Sequence, residues 1–414
     1  MKLIQKYTLF IYIFSINFEL WDPFNTGIDF FLTKVSALLY IFSTLPEFIL
    51  FFSIKNYKKF LVPIFIFFGI LTYMNYINQS KGYSVYFNIP FFLNLIIMLV
   101  SLNHSRIENK LLLKCLFVFS ISLVVFTVMY MFGIQTDSSF EDRITVLNNN
   151  QNELGLKLAI SILVLLVIVR ENRLNLNRFR YLFYLIIPIM FIFMVKTGSR
   201  VAFISLILGL ITYFLLQGKN ITINKILKIV PIFVIALIIW QFILKNSVLL
   251  SRLFSTVNEG DLSGRDIRWL ASIDLISKNQ LFGQGETGYS KNIEPLLGFY
   301  SSPHNVFIEI LCYTGVVGLI IFSIFLLRVI VSAAKSYYYK NELLPLVLLF
   351  PIFGMILSGQ IIGTKIAWII FTYIIAFSMS NNYKKNSIRK HNHLKSNNSL
   401  IYLNKLKKQN QKIF

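Results

Sequence analysis

The chain has 414 residues, of which 56% are hydrophobic, with 41 phenylalanines and a formal net charge of +22. Such hydrophobicity excludes a soluble globular protein and is typical of an integral membrane protein with many spans. The positive charge does not indicate nucleic-acid binding, because the basic residues lie mostly between apolar segments and in the C-terminal tail.

Apolar runs long enough to cross a bilayer recur along the chain. We count about twelve, near residues 7–20, 33–53, 60–77, 87–102, 111–133, 153–169, 181–196, 200–217, 227–244, 303–330, 342–358 and 361–380. The first begins like a signal peptide, but no small-residue cleavage site follows it, so we interpret it as a membrane helix. The predicted fold is an all-α polytopic integral membrane protein with about twelve transmembrane helices and one long extracytoplasmic loop.

Basic residues fall on alternate connections between these spans and in the tail. Placing them in the cytoplasm satisfies the positive-inside rule and puts both termini inside. The predicted organisation is then membrane helices 1 to 9 over residues 1–244, an extracytoplasmic loop with a short amphipathic helix over 245–302, membrane helices 10 to 12 over 303–380, and a basic cytoplasmic tail over 381–414.

The long outer loop contains two candidate motifs. Ser263-Gly264-Arg265-Asp266 predicts a capping box that opens a short helix on the membrane surface. Arg265 and Arg268, three residues apart, share one side of that helix, either as an anion site or as a solvated face. Gly283 to Gly288 fits GxGxxG, but no strand precedes it, so we interpret it as a turn-rich connector and expect no nucleotide cofactor.

A second basic site is the very short outer turn Lys196-Thr197-Gly198-Ser199-Arg200. Backbone amides at a helix N-terminus, joined by two cationic side chains, form a typical anion or phosphate site. The alternative is that Arg200 only reaches toward lipid head groups.

The third site is the apolar stretch that begins at Tyr300. We expect a helix with Ser302 as its cap and Pro303 in its first turn, which places His304 at the helix mouth. Gly315 and Gly318 then fall on the face of His304, together with Ile308 and Leu311, and allow a neighbouring helix to approach. The alternative is that His304 only caps an interfacial helix.

Two polar residues accompany His304. Asn305 follows it directly, and Glu309 lies one turn deeper, as an ionisable group inside the membrane. Glu309 is therefore either a functional residue or the ion-pair partner of a basic neighbour such as Lys365.

Arginines that hold a diphosphate and a histidine that accepts a proton, all on the outer face, suit the transfer of a glycan from a polyprenyl diphosphate carrier to a sugar hydroxyl. His304 acts as general base in this hypothesis, or orients the acceptor. Because metal-ligand spacing is lacking, we predict neither a metal nor a cofactor.

The sequence resembles the O-antigen ligase and O-antigen polymerase family of bacterial membrane glycosyltransferases. His304-Asn305, followed by Gly315 and Gly318, matches the family's H-[NSQ]-x9-G-x-x-G pattern. Thr197 to Arg200 matches its TGSR turn, and the segment from Gly264 to Gly285 resembles its GR…W…LFGxG segment.

The resemblance implies roles for site residues. Arg200 and Arg265 would contact the diphosphate, and His304 would be the catalytic residue. The remaining candidates for substrate binding come from our own analysis of the residues, and they are Lys196, Ser199, Arg268, Asn305 and Glu309.

The resemblance also implies partners and a location. The donor would be a polyprenyl (undecaprenyl) diphosphate-linked oligosaccharide, and the acceptor a saccharide on a lipid-linked repeat or on lipid A core. The protein would act in the lipid bilayer of the bacterial inner membrane, in O-antigen or capsule biosynthesis, without nucleic acid.

Three classes of function stay open from the sequence, namely a glycosyltransferase, a transporter and a structural subunit. We favour a polymerase over a ligase, because each surface polysaccharide locus needs its own polymerase. A transporter of a lipid-linked sugar would also fit twelve spans, but the chain has no detectable internal repeat and no matching pair of broken helices. A purely structural subunit would leave His304 and the outer arginines without a purpose.

Overall fold

The computed structural model describes residues 2–21, 32–78, 88–108, 110–134, 136–139, 143–147, 149–218, 248–260, 264–359 and 361–379. The predicted span 227–244, the tail 381–414 and Ser263 of the predicted capping box lie outside the described residues.

The described chain is largely helical. Its first nine α-helices are α1 Lys2–Ser15, α2 Leu32–Thr44, α3 Phe48–Phe51, α4 Lys58–Ile77, α5 Ile89–Ile107, α6 Leu111–Met131, α7 Gln151–Arg170, α8 Arg180–Lys196 and α9 Arg200–Leu216. Three follow within the predicted loop, α10 Val248–Glu259, α11 Arg265–Lys278 and α12 Gly285–Leu297. The last four are α13 Val306–Lys340, α14 Leu344–Val347, α15 Leu349–Ser358 and α16 Lys365–Met379.

The described residues depart from an all-α fold at one point, between α6 and α7. There β1 Thr136–Ser139 and β2 Arg143–Val146 form an antiparallel hairpin in which Thr136 pairs with Val146. Such a hairpin satisfies its backbone groups locally, so a connection outside the membrane can carry it.

Within the described residues, seven helices are long and apolar enough to cross a membrane. They are Leu32–Phe51, Lys58–Ile77, Ile89–Ile107, Leu111–Met131, Gln151–Arg170, Asn177–Lys196 and Val306–Lys340, and each corresponds to a predicted span. Three shorter apolar helices, Arg200–Leu216, Leu344–Ser358 and Lys365–Met379, correspond to three more. The chain is therefore a multi-pass membrane protein, and the count of twelve spans stays a prediction.

The helix α13 is interrupted near its start at Gly315, whose φ of 63° and ψ of −163° are not helical. The interruption frees backbone groups that would otherwise bond within the helix. The amide of Val316 donates instead to the carbonyl of Gln280 at 2.9 Å. The amide of Val317 donates to the carbonyl of Leu281 at 3.1 Å. The chain between α11 and α12 thus replaces the missing helical partners.

The position of Gly315 corrects our expectation that it admits a neighbouring helix. A Cβ atom there would lie 2.3 Å from the backbone of Leu281, so Gly315 admits an irregular segment instead. The small size of Gly318 is required mainly within its own helix, because a Cβ atom there would lie 1.9 Å from the hydroxyl oxygen of Thr314, whereas the ring of Phe67 in α4 would lie at an ordinary contact distance of 3.4 Å.

The GxGxxG segment is a packing motif. Gly283 has a φ of 67°, and a Cβ atom there would lie 2.6 Å from the backbone of Tyr313. Gly285 has a φ of 71°, and its Cβ position is 2.8 Å from the backbone nitrogen of Asn75, at the end of α4. Because α12 begins at Gly285, only the first part of this segment is the predicted connector.

We predict that Gly315→Ala destabilises the protein much more than Gly298→Ala. Both glycines have positive φ, which costs an alanine about 1–2 kcal/mol. The Cβ position of Gly298 has nothing within 4 Å, whereas that of Gly315 overlaps the Leu281 backbone, which adds about 1–3 kcal/mol of overpacking. Thermal unfolding of the two purified variants in detergent measures the difference, and equal midpoints would contradict the proposed packing.

Candidate active site

His304 lies in a short irregular segment that two side chains from neighbouring helices hold. The indole Nε1 of Trp269 donates to the carbonyl of Pro303 at 2.9 Å. The hydroxyl of Tyr289 donates to the carbonyl of Ser301 at 2.9 Å. The segment is thus fixed by α11 and α12, and Trp269 of the outer-loop motif supplies one of the two hydrogen bonds. Tyr289 carries no sequence signal that would have identified it.

The start of α13 differs from our prediction. The cap is Asn305, whose side-chain oxygen accepts from the amides of Phe307 at 3.0 Å and Ile308 at 3.4 Å. Ser302 instead accepts from the amide of His304 at 3.3 Å. The prediction of Ser302 as cap is therefore wrong, because an asparagine directly before the apolar run is an equally good cap.

His304 itself precedes the helix and has a φ of 50°. This left-handed conformation is uncommon for a residue with a side chain, although histidine adopts it more readily than most. The surrounding hydrogen bonds hold the strained backbone in place. The imidazole is half-buried and lines a cavity.

The charge state of His304 follows from its surroundings. Burial lowers its pKa to about 4, and the positive charges of Arg268 and Arg265 act in the same direction. The imidazole is therefore neutral at neutral pH, with a ring nitrogen that can accept a proton. Both arginines of α11 therefore lie close enough to act on His304.

A cluster of arginines surrounds Arg265. Burial lowers the pKa of Arg265. Three neighbouring positive charges act in the same direction, namely Arg200, Arg252 and Arg268. The structure therefore brings the N-terminus of α9 close to α10 and α11, which both lie far from it in the sequence. Arg252 was missed because one basic residue in an apolar segment gives no signal of its own.

The turn Thr197 to Ser199 is enclosed by arginines. Arg143 of β2 donates through Nε to the carbonyl of Thr197 at 2.9 Å. Arg252 donates to the carbonyl of Gly198 at 3.3 Å. Arg200 in turn donates to the carbonyl of Arg252 at 2.8 Å. Hydrogen bonds in both directions therefore join the turn to α10. Arg143 was also missed, since only the fold brings β2 to this turn.

The other predicted residues of the turn have distinct surroundings. Ser199 is buried and caps α9, with its hydroxyl accepting from the amide of Ala202 at 3.4 Å. Lys196 is the exposed last residue of α8 and is not among the groups that shift the pKa of His304 or Arg265.

A cavity of about 620 Å³ lies beside His304. It is formed where the ends of several helices meet, including the start of α7, the end of α15 and the start of α16. Its polar lining consists of Glu19, Asn149, Asn150, Asn152, Glu153, Lys157, Tyr300, Ser301, Ser302, His304, Ser358, Thr364 and Lys365.

Two ion pairs line this cavity. Lys157 Nζ lies 2.9 Å from Glu153 Oε1, one turn earlier on α7. Lys365 pairs with Oε1 of Glu19. The alternative in which Lys365 pairs with Glu309 is therefore wrong, because the described structure gives Lys365 a different carboxylate.

Glu309 is buried in α13, and its charged neighbour is Glu286 of α12. Asn88 donates to Oε2 of Glu286 at 3.1 Å. Burial raises the pKa of Glu286. Within the described part of the chain, no group of three metal-ligating side chains occurs.

The segment that contains His304, Arg200, Arg252, Arg265 and Arg268 is similar to a known family. Residues 185–323 match the family model described as O-antigen ligase. The resemblance predicted from the motifs is thereby confirmed. Every predicted site residue falls inside this matched segment, whereas Arg143 and the four ion-pair residues Glu19, Glu153, Lys157 and Lys365 lie outside it. No curated protein matches the chain.

We predict that Arg268→Gln raises the pKa of His304 from about 4 toward its ordinary value near 6.5. Removing a positive charge makes protonation of the imidazole less costly. NMR titration of ¹³C-labelled histidine measures this shift, with the signal assigned by its loss in His304→Gln. Lys278→Gln, which removes an exposed cation from the same helix, should leave the titration unchanged. The same midpoint in Arg268→Gln would contradict the assigned proximity.

Proposed function

We propose that the protein transfers a glycan from a polyprenyl diphosphate carrier to a saccharide acceptor on the outer face of the bacterial inner membrane. The O-antigen ligase match supports a membrane glycosyltransferase function in O-antigen biosynthesis. The main support for the proposal is the position of His304. It lines the cavity and is close enough to Arg265 and Arg268 for their charges to lower its pKa.

The arginines suit the diphosphate of the donor. Arg200, Arg265 and Arg268 come from two helices and offer planar guanidinium groups, which bind phosphate oxygens in a bidentate manner. When the bond between the anomeric carbon and the diphosphate oxygen breaks, the electron pair and negative charge stay on the diphosphate. Positive groups already in place stabilise that developing charge.

His304 suits the role of general base. As the acceptor oxygen bonds to the anomeric carbon, its proton moves to a neutral ring nitrogen of His304, which later releases it to water. A histidine with a pKa of about 4 is a weak base, but it is unprotonated at neutral pH and can therefore accept a proton. Asn305 and Glu309 would contribute to substrate binding from the start of the same helix. Asn305 would act mainly by fixing the backbone beside His304.

The orientation of the protein in the membrane belongs to the same proposal. The cavity and the arginines lie at one end of the bundle, whereas Lys110, Arg173 and Glu342 lie at the other, around a second cavity. The positive-inside rule favours the second end as cytoplasmic, which also puts both termini inside.

We favour a polymerase that joins lipid-linked repeats of O-antigen or capsule. The description of the matching family favours a ligase that transfers finished glycan to lipid A core. Purified protein in nanodiscs, supplied with the lipid-linked oligosaccharide extracted from its native cells, separates the two. Laddered products without core indicate a polymerase, and product only after core is added indicates a ligase. No product in either case would contradict transfer and favour a transporter of lipid-linked sugar.

We predict that His304→Ala lowers the transfer rate about 10²- to 10⁴-fold, as loss of a general base does. His304→Gln, which keeps a hydrogen-bonding side chain, should be equally slow if His304 moves the proton. A His304→Gln variant with near-normal rate would instead assign His304 an orienting role. The rate is measured in the nanodisc assay at saturating donor.

We also predict that Arg265→Gln lowers the transfer rate about 10²- to 10³-fold, because a group that stabilises the leaving charge is lost. Arg265→Lys should recover part of this loss, since it keeps the charge but not the planar fork. Lys278→Gln on the exposed side of α11 is the matched control. Equal rates for Arg265→Gln and the control would remove Arg265 from the proposed diphosphate site.

A further inference from the structure

The cavity beside His304 has the size and lining of a sugar site. Its volume of about 620 Å³ lies within the range of about 300–1,000 Å³ that is typical of small-molecule sites. A saccharide presents many hydroxyl groups, each both donor and acceptor. Carboxylates accept several hydrogen bonds, ammonium groups donate three, and asparagine side chains do both. Glu153, Lys157 and Asn152 supply all three kinds from the start of α7.

The charge of the cavity distinguishes it from the arginine cluster. Lys157 is paired with Glu153, and Lys365 with Glu19, so the formal charges of these four residues cancel. A lining of this kind has little attraction for a diphosphate, which the arginines attract strongly. The cavity therefore suits an uncharged part of a substrate.

The position of His304 decides which uncharged part this is. In a direct displacement, the attacking oxygen approaches the anomeric carbon from the side opposite to the leaving diphosphate. The arginines mark the leaving side, and His304 also borders the cavity. The hydroxyl that gives its proton to His304 would then arrive from the cavity.

We propose that this cavity is the acceptor subsite, and that the pairs Glu153–Lys157 and Glu19–Lys365 hold the hydroxyl groups of an uncharged acceptor saccharide. The proposal rests on the proposed glycan transfer. It assigns the acceptor to four charged residues outside the segment that matches the family model, together with the cavity-lining residues 300–304 inside it. The diphosphate of the donor is assigned to arginines inside that segment.

The burial of Lys157 supports a role beyond packing. Its side chain is 3% exposed in a helix that is apolar enough to span the membrane. An ionised group in such a helix is costly and is retained where it faces a polar cavity with a function. Glu153 is 40% exposed, so its carboxylate is open to a ligand while it pairs with the lysine.

The test varies the acceptor independently of the donor. Extracted lipid-linked oligosaccharide is the donor at a fixed saturating concentration. The varied acceptor is the lipid-free oligosaccharide released from the same extract by mild acid and labelled at its reducing end, or labelled core oligosaccharide for a ligase. We expect Glu153→Gln and Glu19→Gln each to raise the KM for the acceptor at least tenfold, with the donor KM changed less than twofold.

Asp274→Asn is the matched control, because Asp274 and Lys278 form an exposed carboxylate–lysine pair with the same spacing as Glu153 and Lys157. It should leave both KM values unchanged. If Glu153→Gln fails to fold because Lys157 loses its partner, the double variant Glu153→Gln, Lys157→Gln removes both charges together. Thermal unfolding in detergent identifies which variants are folded.

The outcomes separate this proposal from the proposed function. If wild-type protein transfers glycan but folded Glu19→Gln and Glu153→Gln variants keep the normal acceptor KM, the cavity is not the acceptor subsite and the transfer reaction stands. A donor KM that rises together with the acceptor KM would also overturn it, by assigning the cavity to the donor sugar. If wild-type protein transfers no glycan to either acceptor, both proposals fail.

Discussion

The constraint on which the site depends is the satisfaction of backbone hydrogen bonds where α13 is interrupted. Inside a membrane an unpaired amide or carbonyl finds no water and costs several kcal/mol. At Gly315 the freed amides of Val316 and Val317 bond to the chain between α11 and α12. The carbonyl of Cys312 accepts from the amide of Gln284 at 2.9 Å in the same contact. The interruption therefore binds the outer helices to α13.

His304 depends on this attachment in two ways. It lies two residues before α13 and next to its cap Asn305, so the start of the interrupted helix positions its backbone. Its segment is also held by hydrogen bonds from Trp269 of α11 and Tyr289 of α12. The glycine segment between these two helices packs closely against α4 and α13 and so fixes their position. The imidazole is thereby fixed near the charged arginines of α11 and at the border of a charge-balanced cavity.

Much of the fold could be predicted from the sequence, because a lipid environment demands long apolar helices. Ten of the predicted spans correspond to apolar helices, seven of them long enough to cross a membrane. The short helix after Gly264 was also predicted, and it begins at Arg265. The hairpin of β1 and β2 was not, since four-residue strands in a polar connection carry too little alternation to be recognised.

The candidate site was predictable where its residues belong to local motifs and not where the fold assembles it. His304, Arg265 and Arg200 stand in compact patterns, and the structure relates them through charge. Arg143 and Arg252 reach the same turn from distant segments, and no local pattern marks them. The cap of α13 was misassigned because Ser302 and Asn305 are both good caps, and only the path of the chain decides between them.

The interruption at Gly315 also divides α13 into two parts that can tilt independently. The stretch Val316–Lys340 has 25 residues, about 37 Å of helix, which exceeds a hydrocarbon core of about 30 Å. That stretch can tilt to match bilayers of different thickness at modest cost. The first turns, with His304, follow α11 and α12 instead. A change in the tilt of the long stretch therefore leaves the geometry around His304 largely unchanged.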